Sequence, residues 1–182
     1  MTVQKTDFKD LLVLDPRVFE DDRGYFMESY NRRSFAEVGI RIDFVQDNQS
    51  RSSTGVLRGL HFQRPPYAQT KLVRALSGEI LDVVVDLRRG QPTFGKHFSI
   101  RLSSDNRRQL LVPKGFAHGF LVLSAEAEVL YKCDEYYNKD ADGGIRFDDP
   151  DLEIDWILSP GKFVLSDKDR MLPFLKELNF SF

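Results

Sequence analysis

Cysteine is almost absent from this chain. Cys133 is the single one in 182 residues, so no intrachain disulfide can form and a reducing compartment fits. No apolar run approaches the ~20 residues of a membrane-spanning helix. The opening residues, MTVQKTDFKD, lack the apolar core of a signal peptide, so a cytoplasmic protein with no membrane partner is expected. A basic excess is lacking as well. The formal net charge is −2, and nothing points to nucleic acid. No Gly-rich loop of the dinucleotide-cradling kind is present. Histidine is scarce, with only His61, His97 and His118.

What is abundant is aromatic and strand-forming. Fifteen Phe and six Tyr suit stacked sheets and lined pockets. The length suits a single domain, 1–182, with a full core. No internal repeat, linker or low-complexity segment marks a boundary. Strands are expected at 11–19, 25–30, 44–50, 56–63, 80–87, 97–102, 109–112, 119–123 and 128–135, with another opening at Lys71 and turning at Ser77-Gly78. Short strands at this spacing, with Gly and Pro between them, indicate an all-β sandwich or barrel. A short helix is expected over 31–38, capped by Asn31 or Ser34 and stopped by Gly39. Residues 138–144 read as a polar loop. A short C-terminal helix is expected from Ser166, interrupted by Pro173.

The stretch 55–86 concentrates the chemistry. Arg58 and His61 lie on one expected strand, and Lys71 opens the next. On the third, Leu81, Val83, Val85 and Leu87 form one face, and Ile80, Asp82, Val84 and Asp86 the other. Carboxylates on a strand face beside a neighbouring His and Lys suggest a lined cavity. The alternative is a sheet with one solvated face. In a regular strand Arg58 and His61 point to opposite faces, so a shared pocket requires a bulge near Gly59.

The chain closely resembles the dTDP-4-dehydrorhamnose 3,5-epimerase family. The resemblance rests on 22–28 (DRGYFME), 46–50 (QDNQS), 56–63 (VLRGLHFQ), 71–74 (KLVR), 82–88 (DVVVDLR), 113–120 (PKGFAHGF), 130–133 (LYKC) and 165–169 (LSDKD). Asp149-Pro150 and Asp155-Trp156 complete it. It implies a double-stranded β-helix, a cupin-like jelly roll with short peripheral helices. It also implies a homodimer acting on a dTDP-sugar without cofactor or metal. The N-terminal strands 11–19 and 25–30 are apolar enough to be expected in the dimer interface.

Resemblance assigns roles residue by residue. His61 matches the proton acceptor and Asp169 its carboxylate partner; Asp169 also fits a helix-capping pattern with Ser166. Tyr131 matches the proton donor, against the commoner use of a strand Tyr as core packing. Arg23, Glu28, Gln46, Asn48, Arg58, Lys71, His118 and Lys168 match substrate contacts, and Phe26, on the strand face of Glu28, and Asp142 are expected to bind substrate with them. Tyr137 matches an aromatic near the thymine ring. His118 lies in a segment like the second metal motif of cupins. The first motif lacks its second His, because Phe62-Gln63 follow His61, so His118 is expected to contact phosphate or substrate rather than metal. His97 is expected on the surface. Asp142, Phe147 and Lys139 stand where the family often has Glu, Trp and Pro. These departures bear on nucleotide affinity or base preference rather than on the chemistry. The expected reaction is inversion of C3 and C5 of dTDP-4-dehydro-6-deoxy-glucose, in dTDP-L-rhamnose synthesis. The alternatives are inversion of one carbon, or a non-catalytic sugar-nucleotide-binding cupin.

Overall fold

The computed structural model describes residues 1–180 and 182. In chain order its strands are β1 (Thr2–Lys5), β2 (Leu12–Asp15), β3 (Val18–Asp21) and β4 (Gly24–Met27), then, after helix α1 (Arg32–Glu37), β5 (Gln46–Ser53). β6 (Leu57–Gln63), β7 (Lys71–Ser77), β8 (Glu79–Asp86) and β9 (His97–Ser103) follow. β10 (Gln109–Val112), β11 (Phe116–Val122), β12 (Glu126–Cys133), β13 (Asp142–Gly144) and helix α2 (Asp167–Arg170) complete the set. A six-stranded sheet runs β1-β2-β10-β7-β12-β5, and a five-stranded sheet runs β13-β6-β11-β8-β9. β3 and β4 form a separate hairpin. This is the cupin-like jelly roll that the sequence led us to expect.

Strand β8 shows why two layers form. Ile80 and Val84 point between the sheets, where they meet Val73, Phe116, Phe120 and Val129. Leu81, Val83, Val85 and Leu87 point the other way, into a second core with Trp156 and Ile145. The solvated-face alternative therefore fails. Ile145, Leu152, Trp156, Phe163, Leu175 and Phe180 from the C-terminal segment lie over the outer face of the five-stranded sheet and keep both sides of β8 dry. A third cluster covers the six-stranded sheet, where Phe35 and Ile40 pack on Leu14, Leu72 and Leu111. Burying each such side chain contributes about 1.5–3 kcal/mol.

Several expected boundaries shift for local reasons. The segment 11–19 breaks into β2 and β3 at Pro16, which has no N–H for a ladder. β2 is an inner strand between β1 and β10, so only the β3–β4 hairpin is left exposed among the apolar N-terminal strands. β4 ends at Met27. β11 begins at Phe116, not at Gly119. The loop 138–144 contains β13, which pairs with β6. Asn31 is the helix cap, accepting a bond from the Arg33 N–H at 2.9 Å, while Ser34 donates to Glu28. The C-terminal helix is the single turn α2, capped by Ser166 and finished before Pro173.

The expected bulge is present. On the β6–β11 ladder His118 pairs with His61, but Phe120 pairs with Arg58. Three steps along β6 thus span two steps along β11. Gly59 makes this possible at φ +136, with no room for a side chain: a Cβ there would lie 2.5 Å from the Gly119 Cα. A Cβ on Gly119 would lie 2.6 Å from the Arg58 carbonyl oxygen. The two strands touch backbone to backbone, and Arg58 and His61 turn into the same cavity. Gly59→Ala is expected to lower unfolding stability by about 2 kcal/mol or more, because backbone must move on both strands. Urea unfolding measures it; a wild-type midpoint would show that the bulge tolerates a side chain.

Candidate active site

Between the sheets lies a cavity of about 640 Å³. The six-stranded sheet contributes Asn48, Lys71 and Tyr131. The five-stranded sheet contributes Arg58, His61 and His118. The segment 164–169 closes one side with Lys168 and Asp169. Val164 reaches this place through a parallel bridge to Val56.

His61 Nε2 lies 2.6 Å from Asp169 Oδ1. The carboxylate accepts a hydrogen bond from Nε2–H, which leaves the Nδ1 lone pair as the basic site. Asp169 serves two expected roles at once. Its backbone N–H donates to Ser166 Oγ at 3.1 Å, capping α2, while its side chain faces the imidazole. Burial alone would push the Asp169 carboxyl up. The His61 hydrogen bond and charge, the Ser166 hydroxyl and the Gly59 backbone N–H outweigh that and hold it below the usual carboxylate range. The bulge therefore also helps fix the partner of His61.

Across the cavity, burial and the nearby Cys133 push the Tyr131 phenol up, with Arg58 opposing them. A phenol so placed keeps its proton at neutral pH and can donate it. The Lys71 Nζ lies 5.7 Å from the Tyr131 ring centre. Burial pushes the Lys71 ammonium down, and Cys133, Asp82 and Asp142 oppose that. His118 Nε2 is 2.9 Å from Asp82 Oδ2, deep in the interior. Arg58 is steadied by its Nε–H donating to Ser52 Oγ at 3.1 Å.

At the rim the expected nucleotide contacts form one bonded chain. The Tyr137 N–H donates to Gln46 Oε1 at 2.9 Å, and Gln46 Nε2 donates to Asn48 Oδ1 at 3.1 Å. The Tyr137 hydroxyl donates to Asp142 at 3.1 Å, and the Lys168 ammonium also binds Asp142. The Tyr137 ring is exposed, leaving a face for stacking.

Three expected contacts lie elsewhere. Arg23 pairs with Asp21 at 2.6 Å on the exposed hairpin. Phe26 beside it is 70% exposed. Glu28 accepts bonds from Asn31 and Ser34. None of the three lines the cavity of its own chain. His97 is not a free surface residue: it is half-buried, with Nδ1 2.9 Å from the Leu152 carbonyl oxygen. Sequence reasoning missed the wall formed by Val164 and Leu165, because an irregular segment leaves no periodic signal. It also missed Cys133, whose buried thiol, pushed up to about 11, lies 3.7 Å from Asn48 Nδ2. Among the described residues no three His, Cys, Asp or Glu side chains converge as a metal site would need.

What such a cavity can do is take a proton on one side and give one on the other, around an anionic ligand. A jelly roll with this interior belongs to the cupin-like isomerases. The family model for dTDP-4-dehydrorhamnose 3,5-epimerase matches residues 5–177, and the chain belongs to that family. It is 53% identical over 171 residues to the dTDP-4-dehydrorhamnose 3,5-epimerase of Shigella flexneri, covering 93% of each chain. The crystal structure of the Elizabethkingia anophelis NUHP1 dTDP-4-dehydrorhamnose 3,5-epimerase aligns at TM-score 0.93 with 49% identity, covering 99% of both chains. A Legionella pneumophila Philadelphia 1 epimerase in complex with dTDP-4-keto-L-rhamnose aligns at TM-score 0.93 with 45% identity, covering 98% of this chain and 94% of that one.

The Asp169 environment sets a pH dependence. A carboxyl held low in the folded state binds its proton more weakly there than in the unfolded chain. Its stabilisation is fully present above the unfolded value near 4, and is lost as pH falls through the folded value. Between about pH 5 and pH 2, wild type is expected to lose more unfolding free energy than Asp169→Asn does. Parallel urea titrations of the two proteins check this; equal losses would mean that Asp169 is not held low.

Proposed function

We propose that the protein inverts C3 and C5 of dTDP-4-dehydro-6-deoxy-glucose, the step that dTDP-L-rhamnose synthesis requires. The observation that carries this reading is the placement of the His61–Asp169 pair and Tyr131 in one cavity with Lys71. Both hydrogens to be removed are α to the C4 ketone. His61 Nδ1 takes the proton, and the electron pair moves into an enolate with its negative charge on O4. The Lys71 ammonium meets that charge, an oxyanion-type stabilisation. Tyr131 then returns a proton from the opposite face of the ring. Arg58, His118 and Lys168 supply donors for the phosphates, with Arg58 offering a planar fork. Tyr137 stacks on the base, and Gln46, Asn48 and Asp142 hold the rim around it.

Incubation with the ketosugar in deuterium oxide tests the chemistry. Each inverted carbon gives its hydrogen to a base and receives one from a group that exchanges with solvent. Proton NMR is expected to show deuterium at both C3 and C5. Label at one carbon marks a single-inversion enzyme, and label at neither marks a binding module. His61→Ala is expected to lower turnover by about 10²–10⁴ at both carbons. Tyr131→Phe should lower turnover while affinity for the dTDP-sugar stays within about threefold. Wild-type turnover in His61→Ala sinks the mechanism.

The protein works in the cytoplasm and as a homodimer in this reading. No helix among the described residues is long and apolar enough to cross a membrane. The β3–β4 hairpin leaves Phe19, Tyr25 and Phe26 half-exposed or more, which is apolar surface that a partner would cover. Pairing through the hairpin would carry Arg23, Phe26 and Glu28 towards the partner's cavity, where their resemblance-based roles belong. Sedimentation at micromolar concentration is expected to give a dimer, and Phe26→Asp is expected to weaken it. A monomer refutes this assembly.

A further inference from the structure

A second His–Asp pair stands at the cavity wall, and the reaction leaves half of it unexplained: His118 lines the cavity, and Asp82 lies buried behind it. Asp82 lies mid-strand on β8, wholly buried, with Oδ2 2.9 Å from His118 Nε2. Its other oxygen, Oδ1, is buried with no hydrogen-bond partner among the described residues. The strand face it occupies also carries Ile80 and Val84, both in the apolar core between the sheets. A buried acceptor left without a partner costs about 1–3 kcal/mol. Packing gives no reason for a carboxylate here, since apolar residues commonly replace buried charges at no loss.

The reason lies in what shares the interior with it. Lys71 enters that interior from β7, and burial works against its charge. Few negative groups can oppose that effect. On β12, the Cys133 thiol is pushed up to about 11 and is uncharged at neutral pH. Tyr131 on the same strand is a neutral phenol. On β13, Asp142 is already engaged by Lys168 and Tyr137. On α2, Asp169 is committed to His61. Arg58 of β6 adds a like charge. Asp82 lies on the face of β8 whose Ile80 and Val84 pack with Val73, and Val73 shares a face of β7 with Lys71, so this buried carboxylate faces the interior that Lys71 enters and its charge favours the ammonium.

We propose that Asp82 is a positioning residue, with one oxygen fixing His118 and its charge holding Lys71 as the ammonium that meets the developing oxyanion. This rests on the reading of Lys71 as the group facing O4. Asp82→Asn keeps the shape and an acceptor for His118 but removes the charge. The expected result has three parts. The melting temperature stays equal or rises, and dTDP affinity stays within about threefold. The basic limb of the kcat profile moves about one unit to lower pH, and turnover above neutrality falls about tenfold. Adding Lys71→Arg to that variant abolishes the shifted limb, because guanidinium does not deprotonate in this range. An unmoved limb overturns the proposal. So does a variant that melts far below wild type or fails to fold, because the carboxylate is then structural. Lys71→Met separates the two readings. If it retains wild-type turnover, the reading of Lys71 itself is wrong. If it abolishes turnover while the Asp82→Asn limb is unmoved, only the role of Asp82 fails.

Discussion

The site depends on one backbone contact, the close approach of Gly59 to Gly119. No side chain fits at either position, so β6 and β11 can come together and β6 can carry an extra residue. Without that residue, strand alternation would place Arg58 in the cavity and His61 outside it, or the reverse. With it, a cation for the ligand and a base for the chemistry lie on one wall. The same bulge turns the Gly59 N–H towards the Asp169 carboxylate. A small steric fact in the sheet thus fixes three functional groups.

The jelly roll allows this because its interior is only partly core. Phe116, Phe120 and Val129 fill part of the space between the sheets, and the cavity takes the rest. Charges placed there need compensation, since the surroundings are too apolar to replace water. The chain meets this with close pairs: His61 with Asp169, His118 with Asp82, and Lys168 with Asp142. Among the described residues Arg58 and Lys71 make no close ion pair, which leaves both cations for a ligand carrying a diphosphate and a transition state carrying an enolate.

Much of this was legible in the sequence. The limits of β6, β7 and β8 follow from alternation and from the Ser77-Gly78 turn. The bulge follows from asking how Arg58 and His61 could share a pocket. Side-chain chemistry narrows the α1 cap to Asn31 or Ser34, and the structure selects Asn31. Strand order was not legible, because alternation shows which residues share a face but not which strands are neighbours. β10 lies between β2 and β7, far from either in the chain. β13 was hidden because Asp-Gly-Gly is poor strand material, held there by pairing with β6. The dryness of β8 was hidden because the segment that covers it, 145–180, is mostly irregular. Such a segment follows the surface it lies on and carries no period of its own.

The two His–Asp pairs show how one residue combination takes different parts. The His61 side chain is 31% exposed and its Asp169 is 5% exposed. For His118 and Asp82 the values are 5% and 0%. A base must meet its substrate and pass its proton on to solvent, so the more open pair suits proton abstraction. The closed pair has no such route. Asp169 sits on a short capped helix that the C-terminal segment brings in, with both carboxylate and backbone N–H engaged. Asp82 sits in the middle of a central strand, held by ladders on both sides to β11 and β9. A charge that needs to be fixed in place, rather than to move a proton, is best put where the backbone is most constrained. The fold therefore separates the two tasks by depth: proton transfer at the accessible edge of the barrel, electrostatic support on its central strands.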